Sequence, residues 1–335
     1  MADGEDNKKM ADTESVSQHR DISWPVVLYS VHIHIGALFG IYYIFTEAKL
    51  LTTLFSLLLT LLAVLGATAG AHRLWAHRSY TANSTLRVIL MLCQTLVLQG
   101  SIYDWVLDHR LHHKYFGTDL DPYNNKKGVL HAHFTTNLKK KHPEYARLAA
   151  TIDMTDMQED RIVIFQKRYY WLLAAVVGVL LPWNAPVEYW GEHILNSLIL
   201  TCLLRSTIAL HWAFLINSGI YIWGIPAGDK SYANSNLIFI LTKSYWPQYH
   251  YLLPWDYQTG EYGNYGEGCT STFIRIWAAM GWATGLRTMD TESIRNALIT
   301  ATDTKKPVIE CLRDAENYSK TYNEKEMYLQ PKLPL

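Results

Sequence analysis

The sequence predicts an all-α integral membrane protein, with four transmembrane helices in two hairpins under a cytosolic helical cap. Hydrophobic residues make up 49% of the 335 residues, and four apolar stretches each approach the ~20 residues that a hydrocarbon layer of about 30 Å requires. The segment between the second and third stretches, residues 70–168, contains 14 lysines and arginines. Such an excess is typical of a cytosolic segment, so both ends of the chain are expected on that side of the membrane.

The four apolar stretches pair into hairpins because their connections are short. Residues 26–46 and 50–69 form the first pair, and residues 169–187 and 194–217 form the second. Buried helices of a soluble bundle are the alternative interpretation, but such helices carry a polar face at a period of 3.6 residues, and residues 50–69 have none. Arg205 interrupts the fourth stretch, and a charge at that depth is expected to face the bundle interior or a partner.

The remaining segments are polar and are assigned to the cytosol. Residues 1–24 are mixed in charge and have no apolar core after a basic start, so we expect a disordered lead-in without a cleaved signal peptide. The cap comprises residues 70–168 and 218–305, and residues 306–335 form a charged tail. The net charge of zero gives no indication of a nucleic-acid partner. Four dispersed cysteines without a CxxC pair argue against a zinc or disulfide framework.

Two groups of histidines lie at a predicted membrane surface. HRLWAH contains His72 and His77, and HRLHH contains His109, His112 and His113. Side chains three or four residues apart share one face of a helix, so several imidazole nitrogens of HRLHH can converge on a metal ion. Neutral imidazole suits iron, zinc or copper, which favours a metal site over five unrelated core histidines. Histidines that stand alone in apolar stretches are interpreted as packed core residues: His32, His34 and His211.

A fifth apolar stretch, residues 86–106, is ambiguous by hydropathy alone. If it crossed the membrane, His77 and His109 would lie on opposite sides, about 30 Å apart, and would not share a metal ion. The stretch is therefore expected to lie along the membrane interface.

These motifs resemble those of the membrane-bound acyl-CoA desaturases of the stearoyl-CoA desaturase type, and the sequence is most similar to the animal members. The resemblance covers about residues 24–305 and rests on six phrases in family order: GATAGAHRLWAH, DHRLHHKYFGTDLDPYN, KKHPEY, FQKRYYW, INSGIYIWG and PWDYQTGEYG. It implies a mushroom-shaped fold whose cytosolic cap holds two iron ions. It also implies an enzyme of the endoplasmic reticulum membrane, which uses O2 and electrons from cytochrome b5 to introduce a cis double bond, delta-9-like, into a fatty acyl-CoA.

The resemblance implies an iron site of nine histidines and one asparagine that acts through water. The positions that carry over are His72, His77, His109, His112, His113, His250 and Asn217. Three family histidines are replaced here, by Tyr221 in NSGIY and by Pro247 and Tyr251 in PQYHY, so occupancy by two irons is in doubt. Tyrosine oxygen binds ferric iron in some proteins, and simple aromatic packing is the alternative interpretation of both tyrosines. Proline has no donor at all.

The resemblance also implies positions that hold the CoA head group and the acyl chain. The matched head-group positions are Asp108, Lys140 and Lys141. The family has arginine where this chain has Leu107 and usually asparagine where it has Gly100, and the lysines have a lipid-facing patch as their alternative interpretation. Ser56 and Thr60 lie near the far end of the family's acyl tunnel, where small residues indicate a deeper pocket or, alternatively, close helix packing.

Two hypotheses on activity follow. The chain is either an active acyl-CoA desaturase with an unusual iron site, or an inactive relative that binds acyl-CoA or regulates an active enzyme. The loss of three ligands favours an inactive or strongly impaired enzyme. The five clustered imidazoles argue for retained activity, because a site that had lost its function would have no physical need for them. Another histidine-box oxidase, such as a hydroxylase, is a third alternative, against which LDPYN and PWDYQTGEYG argue.

Overall fold

Four long helices are apolar enough to cross a membrane, and almost all the rest of the described chain is also helical. They extend over Trp24–Thr46, Leu50–Ala76, Arg161–Trp190 and Ile194–Gly219, so the chain is an all-α integral membrane protein, as the sequence predicts. The structure is a computed structural model. It describes residues 20–116, 118–123, 127–223, 249–259, 268–289, 291–307 and 310–315.

The secondary structure is almost entirely helical along these ranges. The helices are α1 Trp24–Thr46, α2 Leu50–Leu65, α3 Ser84–Thr95, α4 Ile102–Tyr115, α5 Val129–His133, α6 Tyr145–Ala149, α7 Thr155–Glu159, α8 Arg161–Leu173, α9 Leu181–Trp190, α10 Ile194–Leu198, α11 Arg205–Trp223, α12 Tyr249–Leu252, α13 Cys269–Ala279 and α14 Thr291–Thr304. Segments of π-helix extend α2, join α8 to α9 and join α10 to α11; they are Gly66–Ala76, Ala174–Leu180 and Ile199–Leu204. A 3-10 turn covers Thr135–Leu138, and β1 Thr81–Ala82 pairs antiparallel with β2 Ala283–Thr284.

The two hairpins are joined to each other at their turns. The Lys49 ammonium donates hydrogen bonds of 2.7 Å to the carbonyl oxygens of Trp190 and Gly191, and its backbone N–H donates to Glu192 at 2.8 Å. The Thr52 hydroxyl also donates to Glu192, at 2.5 Å. Because helix ends leave carbonyl groups without intrahelical partners, these contacts satisfy the end of α9 while they fix the first hairpin beside the second.

Arg205 faces the interior of the bundle, in line with the expectation from the sequence, and its side chain is fully buried. Its guanidinium donates to the carbonyl oxygens of Thr201 at 2.5 Å and Gly178 at 2.7 Å, and also to that of Leu96. These acceptors belong to both helices of the second hairpin and to the turn that follows α3. Arg205 therefore connects the bundle to the cap through backbone carbonyls, which stabilise a buried cation without a paired carboxylate.

The fifth apolar stretch folds as parts of two helices, not as one span. The 12-residue helix α3 ends at Thr95, and α4 begins at Ile102 after a turn. Gly100 adopts a φ of +99° in this turn, donates its N–H to the Tyr170 hydroxyl at 2.8 Å and accepts from Gln94 at 3.1 Å. A positive φ favours glycine, which explains the residue found at this position. A helix of 12 residues is too short to cross a bilayer.

We predict that Arg205→Met lowers the thermal stability of the detergent-solubilised protein. The substitution leaves buried carbonyl groups without a donor, and each such acceptor costs about 1–3 kcal/mol. The exposed Arg161→Met is the matched control, because it removes the same charge without breaking a buried contact. Unfolding curves followed by intrinsic fluorescence measure the difference, and equal Tm values for the two variants would contradict the role given to Arg205.

Candidate metal centre

Five histidine side chains converge where the second long helix reaches α4 and α12. His72 lies in the π-helical extension of α2, His77 follows that extension directly, His109 and His113 lie on α4, and His250 lies on α12. The ligand nitrogens of His72, His77, His109 and His250 are all within 4.8 Å of one another. The Nε2 atom of His113 lies 3.1 Å from that of His250. Sequence positions far apart therefore meet at one point.

The π-helical segment explains why His72 and His77 meet. The backbone N–H of His77 donates to the carbonyl of His72 at 3.1 Å, which is the i to i+5 hydrogen bond of a π-turn. In an α-helix residues five apart point in different directions, whereas here the two imidazole centroids are 4.8 Å apart. Arg73 in the same segment donates to the carbonyls of Tyr257 and Thr259, which holds the chain after His250 against this helix.

The HRLHH motif divides between two environments. His109 and His113 lie four residues apart on α4, face the cluster, and have centroids 4.7 Å apart. His112 faces elsewhere: its Nδ1 lies 2.7 Å from the Asp121 carboxylate and its Nε2 lies 2.8 Å from the Tyr251 hydroxyl. The sequence predicts all three as ligands of a two-iron site; the structure brings His109 and His113 into the cluster and places the His112 ring beside it, with its centroid 5.9 Å from that of His113.

The orientation of His109 is set by Asn217 and Trp105. The Asn217 side-chain oxygen lies 2.7 Å from His109 Nδ1, and because an amide oxygen only accepts, Nδ1 carries the hydrogen and Nε2 keeps its lone pair. The Trp105 indole stacks on the same imidazole at 5.0 Å and 13°. Such an outer contact is how proteins commonly orient a metal-binding histidine. The buried Asn217 Nδ2 has no hydrogen-bond partner among the described residues.

Three imidazoles of the cluster, those of His77, His109 and His113, are held toward their neutral form. Burial lowers the pKa of His77, His109 and His113 well below the ordinary value, and the neighbouring histidines lower it further. Neutral imidazole offers a lone pair, which metal binding requires.

The arrangement of nitrogens fits a bound metal ion. Nitrogens that bind one first-row ion at about 2.1 Å are about 3 Å apart when they occupy adjacent coordination positions. The Nε2 atoms of His77 and His109 are 2.8 Å apart, and that of His72 is 3.1 Å from that of His250. Imidazole donors without a thiolate suit iron, zinc or copper. The cluster therefore has the donor type of a metal site, and these two pairs have the spacing of adjacent ligands.

The three replaced ligand positions differ in how much the structure describes. The Tyr251 ring stacks on Phe116 at 4.0 Å and on His113 at 4.9 Å, and its hydroxyl contacts His112. Tyr221 lies in α11, but its side chain is outside the described part of the chain, and Pro247 lies outside the described residues altogether. Tyr251 is therefore packed in the site and also hydrogen-bonded to a predicted ligand.

The predicted head-group residues lie together beside α4. The Asp108 carboxylate forms an ion pair with Lys141 and accepts from the Tyr145 hydroxyl at 2.6 Å. Lys140 is largely exposed and lies 3.5 Å from Asp21. Asp108, Lys141 and Tyr145 line a cavity of about 140 Å³ whose lining carries charges of both signs, whereas Lys140 is not part of that lining. Leu107, where the family has arginine, packs partly buried against the hydrophobic core.

Ser56 and Thr60 lie at a contact between helices. The Ser56 hydroxyl donates to the Leu200 carbonyl of the fourth long helix at 2.7 Å, and the Thr60 hydroxyl donates to the Ser56 carbonyl at 2.8 Å. Both residues are buried. These contacts are those of close packing between membrane helices.

A second group of imidazoles was not predicted from the sequence. His34 Nε2 lies 2.9 Å from His211 Nε2, and His211 Nδ1 lies 2.9 Å from His133 Nε2. His133 Nδ1 then contacts the Ser218 hydroxyl at 2.9 Å. His34 and His211, which the sequence treats as unrelated core residues, are thus satisfied by each other, whereas His32, predicted with them as a core residue, is exposed. Their separation of 177 residues gives no local signal that would have identified the pair.

The chain is similar in sequence to curated proteins from insects and mouse. It is 43% identical over 280 residues to the Acyl-CoA Delta-9 desaturase of Acheta domesticus, a match that covers 82% of this chain and 78% of that protein. It is 40% identical over 278 residues to the Acyl-CoA Delta12-desaturase of the same species, with the same coverage. It is 34% identical over 275 residues to Stearoyl-CoA desaturase 4 of Mus musculus, covering 81% and 77%. No protein-family model matches the chain.

We predict that the metal-free protein loses thermal stability as the pH falls below about 6.5. Unfolded histidines bind protons near their ordinary pKa, whereas the buried cluster binds them only at lower pH, so acid favours the unfolded state. Tm measured between pH 7.5 and 5.5 should therefore decrease, and His113→Leu should make the decrease shallower. The exposed His193→Gln should keep the wild-type slope, and a Tm that rises on acidification would contradict neutral burial.

Proposed function

Because the chain belongs to the membrane acyl-CoA desaturase family, we propose that it performs the O2-dependent insertion of a cis double bond into a fatty acyl-CoA, with impaired activity. The observation that carries this proposal is the convergence of five imidazoles from the π-helical extension of α2, from α4 and from α12. A chain that had abandoned metal chemistry would gain nothing from burying polar rings together, since such burial is costly unless the groups bind something.

The histidine cluster is the proposed iron site. Iron, when bound, supplies the activation of O2 that breaks an unactivated C–H bond, which no side chain supplies. The protein's part is to hold the donors. Asn217 fixes the His109 ring, Trp105 covers its face, and burial of the cluster limits access of water.

The proposed substrate positions lie on the cytosolic side of the cluster and within the bundle. Lys140 is exposed and suits a CoA phosphate as a cation. Lys141 is already paired with Asp108, so a phosphate must compete with that carboxylate. Because Leu107 also removes a cation from this region, we infer weaker head-group binding than in family members with arginine. The acyl chain would lie toward Ser56 and Thr60.

The position of the double bond is proposed as delta-9-like from the resemblance alone. The two relatives from Acheta domesticus carry names with different positions, Delta-9 and Delta12, at 43% and 40% identity. Overall sequence identity therefore discriminates poorly between double-bond positions. Depth of the acyl chain relative to the metal is the physical variable that selects the carbon.

The proposed setting is the endoplasmic reticulum membrane with both termini cytosolic and cytochrome b5 as electron donor. Support for the position of the N-terminal end lies at the start of α1, where the Ser23 N–H donates to the Leu138 carbonyl and the Lys140 N–H to the Asp21 carbonyl, both at 2.8 Å. The entry to the first span is thus on the side of the cap. Residues 25–305 are proposed as the desaturase domain, with residues 1–24 and 306–335 as cytosolic extensions.

An inactive acyl-CoA-binding or regulatory relative is the second candidate function. The contact between the Tyr251 hydroxyl and His112 Nε2 favours it, because that nitrogen is a ligand position in the family. The same contact is the reason for proposing impaired activity.

We predict that expression in cells that lack their own desaturase yields a small amount of monounsaturated fatty acid. His72→Ala and His109→Ala should each reduce it at least tenfold, as expected when a donor or its orientation is lost. Gas chromatography of the total fatty acids measures the product. The matched control is the exposed His32→Ala, which should keep the wild-type yield. Absence of any new double bond in the wild type would favour the inactive candidate.

We predict that restoring histidine at all three replaced positions raises this yield. The variant combines Tyr221→His, Pro247→His and Tyr251→His, and it adds the donors that the family has. The same fatty-acid analysis measures the change. If the yield stays unchanged, ligand loss is not the only defect, and the departures at Gly100 and Leu107 are the next positions to restore.

A further inference from the structure

Five of the six histidines at this site form a cluster. The sixth, His112, is hydrogen-bonded to other side chains at both ring nitrogens. We propose that the chain builds a single-ion metal centre, in which five imidazoles surround one metal ion and a Tyr251–His112–Asp121 triad closes the place of a second. The proposal concerns the same cluster as the proposed function and rests on it for the choice of metal. It differs from the two-iron site that the resemblance implies.

The cluster of five has the geometry of shared coordination. The Nε2 atom of His250 lies 3.1 Å from the Nε2 atoms of both His72 and His113. An imidazole nitrogen has one in-plane site, which either donates a hydrogen or accepts one. A single such site cannot form a good hydrogen bond with two other imidazole nitrogens, whereas a metal ion accepts the lone pairs of all three. Adjacent donors around an ion would be about 3 Å apart.

His112 is engaged without a metal. A carboxylate only accepts, so the ring donates from Nδ1 to Asp121, and Nε2 is left to accept the Tyr251 hydroxyl. Asp121 accepts a further hydrogen bond from the Tyr123 N–H at 2.9 Å, which holds the carboxylate in place. The triad therefore satisfies both ring nitrogens in the neutral state. His112 and Asp121 have fully buried side chains.

Tyr251 is also held sterically. Its ring stacks on Phe116, at 4.0 Å and 27°, and on His113, at 4.9 Å and 24°. These two contacts hold the ring beside His112. The phenol thus occupies the position where the family provides another imidazole.

The supply of histidines limits the centre as well. The chain has 14 histidines, and six of them lie at this site. Seven others lie in the described residues and form hydrogen bonds elsewhere: His32, His34, His131, His133, His142, His193 and His211. His19 alone lies outside the described residues. Apart from His112 and His19, a second ion would therefore depend on donors other than imidazole.

The test counts the metal ions bound per chain and compares matched variants of two adjacent histidines, His112 and His113. The purified full-length protein is analysed for iron by mass spectrometry, and the metal-free protein is titrated with Co(II), whose visible absorption reports binding. We expect one ion per chain. His113→Asn should weaken Co(II) binding at least tenfold, whereas His112→Asn, one residue away, should leave both the count and the affinity within threefold of the wild type.

Several outcomes would overturn the proposal: two ions per chain, none, or equal losses in the two asparagine variants. Tyr251→Phe provides an independent measurement, since it removes the hydroxyl without adding a donor and should keep the count at one; a loss of the ion would make Tyr251 a ligand. The ion count tests the single-ion centre separately from the proposed function, which is tested by the double-bond product. One ion without any double-bond product supports the single-ion centre and rejects the desaturase, and two ions with product do the reverse.

Discussion

The wide turn that ends the second long helix is the constraint on which the centre depends. Its i to i+5 hydrogen bond between His77 and His72 places two imidazoles on one face that an ordinary α-helix would separate. The same segment carries Arg73, whose contacts with Tyr257 and Thr259 hold the region after α12 in place. Two of the three elements that provide imidazoles are therefore positioned by one π-helical segment, and α4 completes the set.

The centre and its surroundings differ in electrostatic character. Burial lowers the pKa of His77, His109 and His113 and favours their neutral form, so a divalent ion would be the main charge among them. The proposed head-group positions beside α4 instead contain paired charges, among them the ion pair of Lys141 with Asp108, the residue that follows Leu107. The proposed metal site and the proposed head-group positions are thus separated along α4: His109 and His113 face the histidine cluster, and Asp108 lines the cavity.

The sequence predicts the membrane architecture well because hydropathy is additive along a helix and needs no knowledge of contacts. It also identifies the two histidine motifs, since their density alone is unusual. It does not identify the π-turn, because the pattern of apolar residues is read with an α-helical period. Nor does it separate His112 from His113, which are adjacent in the chain; that division depends on Tyr251, more than a hundred residues away.

The line of imidazoles from His34 through His211 to His133 has a consequence in hydrogen counting. It ends on carbonyl acceptors, Ser30 at one end and, through the Ser218 hydroxyl, Phe214 at the other. Four of these hydrogen bonds involve an imidazole nitrogen, and while Ser218 donates to Phe214 each of the four needs an N–H hydrogen from a ring. Three neutral imidazoles carry only three such hydrogens. Either one ring is an imidazolium, or the hydroxyl rotates toward His133 and releases Phe214. At the junction of the cap and the bundle, the hydrogen bonds can thus be completed in two ways, which differ by one proton and by the orientation of the Ser218 hydroxyl.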